Sequence, residues 1–181
     1  MPPVLNPLAL QTLLAAVVQL GLAVWLLSND HRPRVNRLAA GLLAMGSVLL
    51  FCEFQTAIAT TAAVGQFWTR GLGGGPLGAA ILLQLAWEFS GRGRRRTLSI
   101  PLFAAAMVLG IGTLLSPEPL ADVTQQLGIW RPVPASLNPF GVTAVLFTVG
   151  VSGGGVLLLA ETAFQGPPRV RDGARTMLIG L

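Results

Sequence analysis

The sequence predicts an all-α fold: a polytopic transmembrane helical bundle of five spanning helices plus the start of a sixth, N-terminus outside. Three observations predict it. Of the 181 residues, 52% are hydrophobic and 10% charged, against about 25% charged in soluble domains. The apolar residues gather into blocks of about 20, the length that carries a helix across a hydrocarbon core of roughly 30 Å. The arginines alternate along the chain, three, four and three in the first, third and fifth connections against one each in the second and fourth.

Moving an arginine to the bilayer centre costs roughly 2.5 to 3.5 kcal/mol. The knot Ser90-Gly91-Arg92-Gly93-Arg94-Arg95-Arg96 therefore resists crossing and is expected in the cytoplasm. Arg32, Arg34 and Arg37 in the first connection, and Arg169, Arg171 and Arg175 in the fifth, are expected on the same side. The formal net charge of +5 is read as topogenic. A nucleic-acid partner is not expected, because the arginines sit in short loops with no aromatic interleaving or recognition motif.

The first helix is predicted over residues 8–27; the segment before it lacks the positive n-region of a signal peptide, so the helix is read as retained. The connection Asn29 to Arg37 holds Pro33, unfit for a helix interior, and is placed inside. The second helix covers 38–59, and the polar run Thr60 to Gly75 is placed outside. The third crossing, 67–90, contains Gly71, Gly73, Gly74, Gly75 and Pro76, which predict a break or kink near its outer end. The fourth helix covers 98–115, and Ser116-Pro117-Glu118-Pro119 stops it. In the long outer connection that follows, Leu120 to Leu127 is expected as a short helix on the membrane surface, with Trp130 as an interfacial aromatic. The fifth helix covers 140–164, opened by Asn138-Pro139 and closed by Gly166-Pro167-Pro168, and a sixth begins near 176.

Within this frame the intramembrane polar residues are few. Glu53 falls at outer-leaflet depth, where an acid is disfavoured unless it faces protein or water. Thr56 and Thr60 follow at i+3 and i+7 on one helical stripe, and Gln11 and Thr12 lie at similar depth on the first helix. These five residues form either a ligand pocket open to the outside or an interhelical hydrogen-bonding cluster. Glu88 has Arg92 four residues later, the order that suits an i,i+4 ion pair; Gln84 shares its face, and Glu161 is expected to reach water or the arginines beyond Pro168.

Other motifs read as structural. Gly71 to Pro76 lacks the Gly-Lys-[Ser/Thr] of a phosphate loop and is read as a hinge or helix breaker. Gly150 and Gly154 form a G-x-x-x-G pair, the pattern of close packing to another helix or to a second subunit, a homodimer in the latter case. Cys52 is the sole cysteine and His31 the sole histidine, so neither an intrachain disulfide nor a four-ligand zinc site is expected. Lysine is absent, which excludes a retinal Schiff base. No cofactor, metal or catalytic constellation is expected.

Three places resemble the N-terminal seven-transmembrane sensor region of bacterial and archaeal histidine kinases and related signalling proteins. They are Asn36-Arg37-Leu38-Ala39-Ala40-Gly41 leading to Phe51-Cys52-Glu53-Phe54, then Leu85-Ala86-Trp87-Glu88-Phe89-Ser90-Gly91-Arg92, and Arg169 to Arg175 before Leu178-Ile179-Gly180-Leu181. The resemblance implies a multi-pass sensory module in a prokaryotic plasma membrane that detects a small ligand or membrane stimulus. It also implies a cytoplasmic output domain or partner, for which this chain carries no phosphotransfer or ATP-binding motif; the chain ends at the threshold of a sixth helix where the family has seven. The competing expectation is a small transporter or membrane-complex subunit with Glu53 lining a polar path and the broken third helix forming part of the site.

Overall fold

A computed structural model describes residues 6–29, 33–91, 96–126, 128–133, 136–166, 171–172 and 174–176. The elements run in chain order as α1 (Pro7–Ser28), α2 (Pro33–Ala57), α3 (Ala62–Thr69), a 3-10 segment (Arg70–Gly74), α4 (Gly75–Phe89), α5 (Arg96–Leu115), β1 (Asp122–Gln126), β2 (Ile129–Val133) and α6 (Pro139–Gln165). Among the described residues, four helices are long and apolar enough to cross a membrane: α1, α2 (from Arg34), α5 (from Leu98) and α6. The third expected crossing is broken by the glycine run into the end of α3, the 3-10 segment and α4. The 15 residues of α4 rise only about 22 Å, less than a hydrocarbon core.

Local chemistry sets the helix starts. Asn6 caps α1 by accepting the Leu8 N–H at 2.9 Å, and Asn138 caps α6 by accepting the Gly141 N–H at 2.7 Å; a proline follows each at the first helical position. Pro33 also stands at the first position of α2, where its missing N–H has no intrahelical partner to lose. Thr61 caps α3, so much of the expected polar connection Thr60 to Gly75 is helical.

Small residues bring the helices together. On α1, Ala9, Ala16 and Ala23 recur at seven-residue spacing and are almost fully buried. On α2, buried Ala40, Ser47 and Phe54 repeat the interval, and the Ser47 hydroxyl donates to the Ala16 carbonyl at 2.8 Å. The rest of α1 presents exposed Leu14, Val17, Val18, Val24 and Trp25, a surface suited to lipid tails. The central element is α4, packed against α2, α5 and α6, with Ala80, Leu85 and Ala86 wholly buried. Leu82 and Ala86 meet Leu158, Leu159 and Ala163 of α6 and Ala174 beyond it. Gly150 and Gly154 have nothing within reach of an added Cβ, so among the described residues the G-x-x-x-G pair packs on no helix; on α6, Gly155 is the glycine that faces α4.

The connection after α5 is an antiparallel hairpin in the register Asp122↔Val133 through Gln126↔Ile129. Strand β1 replaces the expected surface helix over Leu120 to Leu127. Val123, Thr124 and Ile129 are β-branched, and Gly128 supplies the left-handed backbone, φ 78°, next to β2. Gln66 of α3 donates to Asp122 at 2.9 Å, and Ile129 is buried among Ala9, Phe54 and Ala57. At the opposite end of the bundle, Arg34 pairs with Glu88 at 2.9 Å, and Arg175 donates to the Ala163 carbonyl at 3.2 Å. Arg32, Arg92, Arg94, Arg95, Arg169 and residues 177–181 of the expected sixth helix lie outside the described residues.

Candidate functional site

The site is built where α1, α2 and β2 converge. Helix α2 ends at Ala57, which sets Glu53 about one turn, roughly 6 Å, from its end. The N-terminal turns of α1 run antiparallel beside it and bring up Leu8, Ala9, Gln11 and Thr12. Strand β2 closes the third side with Ile129, Trp130, Arg131 and Pro132. Together with Ala57 these residues line an open cavity of about 130 Å³. Its floor is the buried cluster of Ala9, Ala57 and Ile129; Glu53, Gln11 and Arg131 are exposed at its mouth, with Thr12 and Trp130 half-buried.

Of the five expected residues, Gln11, Thr12 and Glu53 line this cavity, and Thr56 and Thr60 do not. Thr56 turns into the bundle and donates to the Cys52 carbonyl at 2.9 Å, wholly buried. Thr60 lies past the end of α2, off the stripe that would have carried it to the cavity. Trp130 and Arg131 are the members missed, because only the hairpin fold brings them back over α1 and α2. The signal for it was present in the β-branched residues on either side of Leu127-Gly128.

Glu53 and Arg131 face one cavity without pairing. Neither side chain makes a hydrogen bond or an ion pair among the described residues. Thr12 donates its hydroxyl proton to the Ala9 carbonyl at 2.8 Å, which leaves its oxygen free to accept. No family model, curated protein or solved structure matches the chain. The chemistry of the site therefore rests on its own residues: a carboxylate, a guanidinium, an amide and an indole around a small apolar floor.

Glu88 accepts from Gln84 at 3.2 Å as well as from Arg34, so its described partners lie on α4 and α2; the expected partner Arg92 lies outside the described residues. A second cavity of about 350 Å³ lies between the start of α4, α6 and the hairpin, lined almost wholly by apolar residues, with Thr148 polar. No group of three metal-ligating side chains occurs among the described residues.

Proposed function

We propose that the chain is the sensory input module of a membrane signalling protein, crossing the bilayer five times with the hairpin end outside and the Arg34–Glu88 end in the cytoplasm. The arginine alternation supports this orientation, and the resemblance to the seven-transmembrane sensor region supports the signalling role. The observation that carries the reading is the cavity formed jointly by α1, α2 and β2, with Gln11, Thr12, Glu53 and Arg131 among its lining residues. Its wall β2 belongs to a hairpin tied to α3 by Gln66 and Asp122, and to the start of α6 by Asn138, whose N–H donates to the Leu120 carbonyl at 3.2 Å. A small ligand bound between β2 and α2 favours one hairpin position over another. That preference passes to α6, which runs the length of the bundle, and from there to a cytoplasmic output domain.

Two measurements test the reading. Impermeant maleimide added outside intact cells should label Asp122→Cys and spare Gly93→Cys and Asp172→Cys; the reverse pattern overturns the orientation. In sealed proteoliposomes, a solute that binds the cavity should remain on its own side of the membrane. Flux of that solute that Glu53→Gln abolishes would assign the chain to transport instead.

A further inference from the structure

The cavity's charges narrow its ligand to one chemical class, an inference that rests on the site proposed above. Glu53 and Arg131 line the same mouth, one negative and one positive, and no ion pair joins them. Left unpaired with each other, the carboxylate and the guanidinium each present an open charge to a ligand in the cavity. A purely cationic ligand would satisfy Glu53 and leave Arg131 facing like charge. A purely anionic one would do the reverse.

We infer that the cavity binds a small zwitterion, its ammonium on Glu53 and its anionic group on Arg131. Three further features fit. Trp130 also lines the cavity, and an indole is the side chain best suited to a cation–π contact with an ammonium group. Gln11 brings both a donor and an acceptor to the mouth. The cavity, about 130 Å³, has room for a small headgroup-sized ligand. The same chemistry occurs in a free amino acid and in the headgroup of phosphatidylethanolamine, and the depth of Glu53 near the end of α2 gives either access.

The test uses the full chain in nanodiscs of phosphatidylglycerol, a lipid without an ammonium group. Substituting Trp25→Phe, Trp68→Phe and Trp87→Phe leaves Trp130 as the sole fluorescent reporter; ligand-observed NMR on the unsubstituted protein provides the same titration should that variant fail to fold. The probes are glycine and β-alanine, with methylammonium and acetate as single-charge analogues. In a second arm, phosphatidylethanolamine is doped into the disc. The expected result is saturable binding of the free zwitterion or a Trp130 shift with the doped lipid, whichever is the source. In either arm Glu53→Gln and Arg131→Gln should each weaken the effect at least tenfold, and the single-charge analogues should bind at least tenfold more weakly than the zwitterion. Equal binding of methylammonium or acetate, or loss in only one of the two variants, overturns the zwitterion inference while the cavity stands as a ligand site. No response to any probe or lipid overturns the cavity as a ligand site altogether.

Discussion

Arg34, the second residue of α2, meets Glu88, the penultimate residue of α4, at 2.9 Å. Each stands at the wrong end of its own helix. A cation near a helix N-terminus and an anion near a C-terminus both oppose the backbone dipole, so each side chain offsets the other's unfavourable field as well as attracting it. The pair ties the ends of two antiparallel helices at the pole opposite the cavity. Replacing either residue should leave its partner against its own helix dipole. Arg34→Gln and Glu88→Gln are each expected to lower stability by about 1 kcal/mol, the upper end of the range for partly exposed pairs, because Glu88 is only 16% exposed while Arg34 is 48% exposed. The double variant should lose less than the two singles combined. Thermal unfolding of the four proteins in detergent measures the coupling, and high salt should reduce it.

Glycines of identical composition should respond in opposite ways to alanine. A Cβ on Gly141 would lie 2.8 Å from the Leu120 carbonyl oxygen, a backbone atom, and one on Gly73 would collide with the Thr113 side chain of α5. Overpacking of this kind costs about 1 to 3 kcal/mol. Gly21 and Gly150 have open space around them. Alanine there should be neutral or stabilise the helix by up to about 1 kcal/mol. Unfolding midpoints of the four single variants check the ordering; a destabilising Gly150→Ala would point to a contact made by a second copy at that face.

The seam between α1 and α2 gives a third comparison. Ser47→Ala removes the hydrogen bond to the Ala16 carbonyl and should cost only about 0.6 kcal/mol, the average for such bonds between membrane helices. Ala16→Leu keeps the apolar character but wedges a side chain into the close contact, and should cost more than Ser47→Ala. Disulfide trapping between cysteines placed on the two helices, in a Cys52→Ser background, should slow in the leucine variant and stay near wild type in Ser47→Ala.

What was legible in the sequence follows the physics of each segment. Helices α1, α5 and α6 fall within two residues of their expected bounds, because an unbroken apolar run closed by Asn-Pro, Pro-Glu-Pro or Gly-Pro-Pro has few alternatives. The broken third crossing was legible because Gly71 to Pro76 cannot continue a regular helix. The hairpin was not, since Leu120 to Leu127 is too short for periodicity to separate a surface helix from a strand. The site divides the same way. Depth along a helix placed Gln11, Thr12 and Glu53 together, whereas Trp130 and Arg131 reach the cavity only through pairing between β1 and β2, a tertiary event. Thr60 was counted on the stripe one residue past the expected helix end at 59, but α2 ends at Ala57, so the helical spacing does not extend to it.

Asn138 joins the hairpin to α6, and its substitution tests whether that joint is mechanical or incidental. Its side-chain oxygen caps α6 by accepting the Gly141 N–H, its side-chain nitrogen donates to the Pro119 carbonyl at 2.8 Å, and its backbone N–H donates to Leu120. Asn138→Asp keeps the cap and removes the donor to Pro119; Asn138→Ala removes both. Loss of a cap costs about 1 kcal/mol, and a further buried bond about another, so alanine should destabilise by about 2 kcal/mol and aspartate by about half as much. Amide exchange separates the two functions. In the aspartate variant the hairpin amides of β1 and β2 should exchange faster while those of the first turn of α6 stay protected. In the alanine variant both should accelerate. If the hairpin amides keep wild-type protection in both variants, Gln66 and the burial of Ile129 hold the hairpin without α6, and any relay from the cavity would have to run through α3 instead.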